Sequence, residues 1–274
     1  MHFQTRIGIV LALFCCLLYV RAVAQVQPER SAVSLDKALL PPEQVVKNLE
    51  ERNAQRAAAL DGFVGTRVYR MQYHGLPSDR EAEMVVNATY HAPNVKQFSI
   101  VSEKGSKFII DHVFKKLLEG EQEAANEENR RRTALSRENY DFSLAGYEES
   151  ADGGRYIFNL APKTKNKFLY RGKVWVDARD FAVVRIEGEP GKNPSFWIKK
   201  TEIAHKYVKV NDFWLPAENH TESLIRLGGR AILSIKYEDY RITSATPLAE
   251  VENADDDAKT SDRQRGGKVL SAVP

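Results

Sequence analysis

The sequence predicts an α+β domain built on a large antiparallel sheet. Three observations carry that expectation. From Tyr140 to Arg241 the chain alternates apolar and polar residues almost without interruption, with turn residues roughly every 10–14 positions. Two segments, near 43–60 and 108–132, repeat apolar residues at helical spacing instead. Nowhere do strands alternate regularly with helices, as a parallel βαβ sheet requires.

The elements follow in chain order. Pro41-Pro42 punctuates the start of the fold, and Glu43 lies in a first helical turn. Val45, Val46, Leu49, Arg56 and Leu60 place one apolar stripe on a helix of about 17 residues, which Asp61-Gly62 should end. Phe63–Tyr73 alternates as a strand, and His74–Asp79 is a turn. Glu83–Ala92 is a second strand, Pro93-Asn94 breaks it, and Val95–Val101 is a third. Ile110, Val113, Phe114, Leu117 and Leu118 mark a helix packed on the core, weakened by Gly120. Its continuation ends in Arg130-Arg131-Arg132, read as a solvated face with acids one or two turns earlier. Strands then follow at Tyr140–Glu148, Arg155–Leu160, Tyr170–Asp177, Phe181–Glu187, Phe196–Val210, Ala217–Leu227 and Arg230–Ile242. Two separate cores are not expected, because about 225 folded residues can share one.

The two ends differ from this middle. Residues 1–24 have the form of a secretion signal: Arg6, an apolar run Ile7–Val20, and Ala22-Val23-Ala24 before Gln25. Fourteen apolar residues make roughly 21 Å of helix, short of a roughly 30 Å hydrocarbon core. Cleavage after Ala24 and export are therefore expected. Both cysteines, Cys15 and Cys16, lie inside this run, so disulfides and thiolate metal sites are not expected in the folded chain. Phe14 precedes Cys15, where a lipoprotein signal needs small residues. Residues 25–40 read as a flexible segment, and residues 244–274, rich in Asp, Lys and Ser, as a disordered tail. The formal charge of +3 falls to +1 without Arg6 and Arg21, which gives no global attraction to nucleic acid. Asn87-Ala88-Thr89 and Asn219-His220-Thr221 match the glycosylation tripeptide.

A search for chemistry returns little. The five histidines after the signal, His74, His91, His112, His205 and His220, include no pair at i, i+4 spacing on a helix. There is no Gly-x-Ser-x-Gly elbow and no phosphate-binding loop. Asp177 and Asp180 sit at a hairpin end, where turn geometry explains them. No catalytic residue, metal site or cofactor is assigned, and binding rather than turnover is the expected activity. A hydrolase with dispersed acids is the remaining enzymatic reading. Trp175, Phe196, Trp197, Phe213 and Trp214 fall within forty residues, as sheet core or as the lining of an apolar cavity.

The amphipathic opening helix (Val45, Val46, Leu49), the strand ending Arg67-Val68-Tyr69, an inserted helix, and the hairpin Gly172–Glu187 together resemble the LolA/LolB-like superfamily. The likeness is greatest to outer-membrane lipoprotein-sorting-like proteins and spans about residues 41–243. It implies a curved, incomplete antiparallel β-barrel whose open side is plugged by helices over an apolar cavity. It further implies a periplasmic carrier of lipid acyl chains or of a lipidated protein, between an inner-membrane donor and an outer-membrane acceptor. The alternative is a sensor domain of the same fold that binds a protein or glycolipid partner. The cavity lining is expected on one sheet face: Tyr69, Met71, Met84, Val86, Tyr90, Phe98, Ile100, Leu233, Ile235 and Tyr237. An ordinary filled core is the competing reading of the same ten side chains.

Overall fold

The computed structural model describes residues 40–150, 153–193, 195–226 and 228–251. The expected signal, its cleavage site and the flexible segment lie outside these residues, as does the tail beyond 251. Helix α1 (Pro42–Ala59) comes first, followed by β1 (Leu60–Gly75), β2 (Arg80–His91) and β3 (Val95–Gly105). A helical segment follows: α2 (Lys107–Ile109), a π-helical turn (Ile110–Phe114), α3 (Lys115–Ala125) and α4 (Glu127–Thr133). Seven strands complete the chain: β4 (Tyr140–Ser150), β5 (Gly153–Pro162), β6 (Tyr170–Asp177), β7 (Val183–Pro190), β8 (Ile198–Val210), β9 (Phe213–Ile225) and β10 (Gly229–Ala245).

All ten strands form one open, curved antiparallel sheet in the order β3-β2-β1-β10-β9-β8-β7-β6-β5-β4. Two meanders, β1–β3 and β4–β10, are joined by the pairing of β1 with β10. The register lines up side chains in rows that cross nine strands. One row runs Met84, Tyr69, Ile235, Asn219, His205, Ile186, Val174, Phe158, Leu144. The next runs Ala82, Met71, Leu233, Thr221, Ile203, Gly188, Gly172, Leu160, Phe142. Both rows lie on the face that the helices cover, called the inner face below.

Two helical elements bury the two flanks of that face. On α1, Pro42 opens the first turn with its preset φ, Glu43 complements the amino end and Arg56 the carboxyl end. Val45, Val46 and Leu49 pack into a core with Tyr140, Tyr156, Phe158, Leu160, Val174, Val176 and Ile186. Glu50 accepts from Arg137 at 2.7 Å and fixes α1 beside the segment leading to β4. Helix passes directly into strand at Leu60, so Asp61 and Gly62 belong to β1, where the register shifts accommodate them. On the other flank, Ile109, Ile110, Phe114 and Leu118 cover Tyr69, Ala82, Met84, Val86 and Ile235. The wider π turn puts Ile110 and Phe114 on the side that faces the sheet.

A third cluster closes one end of the sheet. Ala59, Phe63, Phe213 and Leu215 are buried there with Leu60, Tyr90, Tyr240 and Ile242 against them. Leu248 and Val251 join it, so the packed chain continues past the expected boundary at 243. The strand expected at Ala217–Leu227 begins earlier, at Phe213, as β9. The expected Arg130–Arg132 surface is exposed, with Glu128 paired to Arg132 at 2.8 Å. The Asp177 carboxylate accepts from the backbone N–H groups of Arg179 and Asp180 at 2.9 and 2.8 Å, as a hairpin Asx-turn requires.

Strands β6 and β7 depend on a glycine pair. Gly172 and Gly188 face each other across the ladder, and a Cβ on Gly188 would collide with the carbonyl of Arg171. Gly188→Val should therefore lower unfolding free energy by about 1–3 kcal/mol, read as a shifted urea midpoint at unchanged slope.

Candidate inner-face binding site

The inner rows change character at their centre. Their flanks are apolar, but on β8 and β9 they carry His205, Asn219, Thr221 and Ile203. Neither helical cluster includes these residues. Each is half-buried, as are Tyr170, Tyr207, Leu233 and Tyr237 around them. The result is a strip of accessible surface between two dry cores, lined by rings, hydroxyls and one imidazole. The Tyr170 ring meets His205 edge-on at 5.3 Å. Among the described residues, the hydroxyls of Tyr207 and Tyr237 make no hydrogen bond within the protein. They are also not among the polar atoms sealed from solvent. Tyrosine places an apolar body and a polar tip in one side chain, which suits a ligand of mixed polarity.

One wall of the strip is charged. The Arg67 guanidinium, on the inner face of β1, reaches both Glu121 oxygens of α3, at 2.6 and 2.7 Å from Nη1. Its plane lies 5.0 Å from the centre of the Phe98 ring and 5.1 Å from that of Tyr237. Lys96 stands 3.5 Å from the same carboxylate. Burial alone would lower the Arg67 pKa, but Glu121 more than offsets it, and the guanidinium is held above its ordinary value. Burial raises the Tyr69 phenol to about 12, and Glu121 adds to the rise. Burial and then Glu121 raise Tyr237 and Tyr170 as well. All of these phenols stay protonated near neutral pH. On the opposite side, burial lowers His205 to about 4, so it is a neutral donor and acceptor there.

The ten residues expected from sequence to line a cavity divide among three settings. Tyr69, Met84, Val86 and Ile235 are fully buried beneath the π turn and α3. Met71, Phe98, Leu233 and Tyr237 are half-buried at the rim of that core, and Leu233 and Tyr237 face the central strip. Tyr90 stacks on Phe63 at 5.3 Å in the end cluster, and Ile100 on the edge strand is 42% exposed. The central His205, Asn219, Thr221 and Tyr207 were not expected. Their local signal was ordinary strand alternation, and only the cross-strand register brings them together. Among the described residues, no group of three or more His, Cys, Asp or Glu is placed to hold a metal ion. No helix among them is long and apolar enough to cross a membrane.

The fold is thus an open antiparallel sheet whose concave face is covered by helices at both flanks. Three solved structures similar to this chain cover about three quarters of it. An outer membrane lipoprotein-sorting protein domain from Vibrio parahaemolyticus is 12% identical, with 77% of this chain and 97% of that one covered and a TM-score of 0.36. A DUF1329 family protein from Desulfovibrio piger is 12% identical over 74% and 93% of the two chains, with a TM-score of 0.37. A LolA superfamily protein from Nitrosomonas europaea is 11% identical over 75% and 94%, with a TM-score of 0.33. No family model matches the sequence, and no curated protein matches it.

Two outcomes test this site. Glu121→Ala leaves Arg67 buried without its carboxylate. The loss should be about 2 kcal/mol, below the roughly 3–5 kcal/mol of a fully enclosed pair because Glu121 keeps contact with solvent. Arg67→Met with Glu121→Leu should recover most of it in denaturant titration. The depressed His205 pKa means that the unfolded chain binds this proton more tightly than the folded one. Its contribution to stability is complete above about pH 6.5 and is lost as pH falls toward 4, by at most about 3 kcal/mol. His205→Leu should remove that segment of the pH–stability curve and leave the carboxylate-driven loss below pH 4.

Proposed function

We propose that this protein binds an amphiphile, a lipid acyl chain or the acyl groups of a lipidated protein, on the inner face of its sheet. The observation that carries the reading is the break in the core at β8 and β9, where aromatic, hydroxyl and imidazole groups stay accessible between two apolar clusters. The π turn and α3 form the movable part. They rest on Tyr69, Met84, Val86 and Ile235 through side-chain packing, with Arg67–Glu121 as the buried polar tether. Lifting them would extend the strip into an apolar trough, with Met71, Phe98, Leu233 and Tyr237 at its rim and Tyr90 and Ile100 at its far margin. The acyl chain would take the place of Ile110, Phe114 and Leu118. Burial is worth about 0.8 kcal/mol per CH₂, so one chain contributes on the order of 10 kcal/mol before opening and ordering costs are subtracted. Such a carrier, working in the periplasm, would accept its cargo from an inner-membrane donor and release it to an outer-membrane acceptor without chemistry.

A partner-binding sensor is the second reading, and the β3 edge favours it. Among the described residues its outer ladder is unpaired, and Val95, Ile100 and Val101 are exposed along it. An extended segment of a partner could add there as an eleventh strand.

Uptake of a fluorescent fatty acid separates the two. The wild-type chain should take up the probe, and Leu233→Trp, at the half-buried rim of the strip, should weaken uptake at least about tenfold with little change in melting temperature. An absence of uptake by the folded wild-type chain would sink the carrier reading for this face. Titration with a bromine-labelled acyl chain should also quench tyrosine emission if the central strip is the site.

A further inference from the structure

We infer that the tip formed by the β7–β8 loop and the β9–β10 turn docks on an anionic lipid bilayer. Phe196 and Trp197 are 76% and 55% exposed, at adjacent positions in the loop between β7 and β8. Large aromatic rings are seldom left this exposed in pairs, and an exposed apolar patch rimmed by polar groups marks an interaction surface.

The loop is held in shape, so the rings are presented rather than merely unpacked. Arg226 donates its backbone N–H to the Trp197 carbonyl at 2.8 Å and its Nε–H to the Phe196 carbonyl at 2.6 Å. Its guanidinium lies 5.0 Å from the Phe196 ring centre. The Trp197 N–H donates to Ser195 Oγ at 3.3 Å, and the two rings meet edge-on at 5.6 Å. Leu224, on the neighbouring strand end, is 42% exposed and widens the apolar area.

Charge selects the partner. From Gly191 to Thr201 the chain carries Lys192, Lys199 and Lys200 and no acid, and from Ile225 to Arg230 it carries Arg226 and Arg230 and no acid. Lys200 and Arg230 are paired to Glu202 and Glu222 further down the strands. Lys192 and Lys199 are exposed and make no ion pair among the described residues. Aromatic rings flanked by lysine and arginine match the layered chemistry of an anionic membrane surface. Phosphates meet the cations, while the rings sit at the headgroup level. An apolar protein pocket would take the rings but would leave Lys192, Lys199 and Arg226 without an anionic counterpart.

The test uses the whole chain and the emission of its tryptophans. Vesicles of phosphatidylglycerol and phosphatidylcholine, with lipid brominated near the headgroup end of its acyl chains, should quench part of the emission. Trp197→Phe should abolish that quenching while the protein still sediments with the vesicles, because Trp175 is buried and Trp214 bonds to Asp180. Phe196→Ser with Trp197→Ser should abolish sedimentation above the level set by pure phosphatidylcholine. Lys192→Glu with Lys199→Glu should weaken it about 25-fold or more, since each cation near an anionic surface contributes about fivefold. These variants should leave fatty-acid uptake from solution unchanged, so failure here and failure of the carrier reading are distinguishable. Vesicle binding without Trp197-dependent quenching would overturn the proposal by placing the contact elsewhere. An absence of vesicle binding would overturn it too, and would assign the tip to a protein partner.

Discussion

An open sheet of ten strands has an apolar face that it cannot cover by closing on itself. Everything else in this molecule answers that constraint. A closed barrel seals its interior with its own strands, but here the order begins at β3 and ends at β4, which leaves two edges unpaired among the described residues. Helices must cover the concave face, and two short ones cannot cover nine strands. They take the flanks and leave the centre. The polar side chains at that centre, His205, Asn219 and Thr221, stand where the covering fails and water reaches the sheet. Polarity there is a consequence of the architecture, because an apolar strip left open would invite association with other chains.

The two coverings are anchored differently. Helix α1 is tied into its core by large side chains from four strands and by the ion pair of Glu50 with Arg137. The segment from Lys107 to Ala125 relies on Ile109, Ile110, Phe114 and Leu118, on Arg67 and Lys96 reached by Glu121, and on Lys115 paired to Glu103 of β3. A guanidinium gripped between two rings and a carboxylate is rigid in place. The π turn adds to the asymmetry, since wide turns pack less regularly than α-helix. In the carrier reading, the flank over β1, β2 and β10 is the one that lifts.

Much of this was legible in the sequence, and the limits have physical causes. The stripe of Ile110, Phe114 and Leu118 identified the covering helix because helical periodicity is a local signal. Strand alternation likewise placed Tyr69, Met84, Val86 and Ile235 on one buried face. Element ends were less legible: β1 absorbs Asp61-Gly62, and β9 starts at Phe213, because pairing with a neighbour overrides local turn preference. The central strip was not legible at all. Asn219 and His205 are fourteen residues apart and meet only through the β8–β9 register, which bulges shift by one position at Lys206–Tyr207. The Gly172–Gly188 pair was equally hidden, since each glycine alone reads as a weak strand position.

Asn219 also bears on how the protein can be produced. Its tripeptide with His220 and Thr221 is read by a eukaryotic oligosaccharyltransferase on the nascent, unfolded chain, before any sheet exists. A glycan attached there would lie on the concave side, between β8 and β10, over the strip that the helices leave open. Asn87 is on an exposed position of β2 and would carry the same modification outward without harm. Secretion from yeast or mammalian cells would therefore yield a mixture in which only one sequon is innocuous. A bacterial host, or an Asn219→Gln chain, avoids the problem.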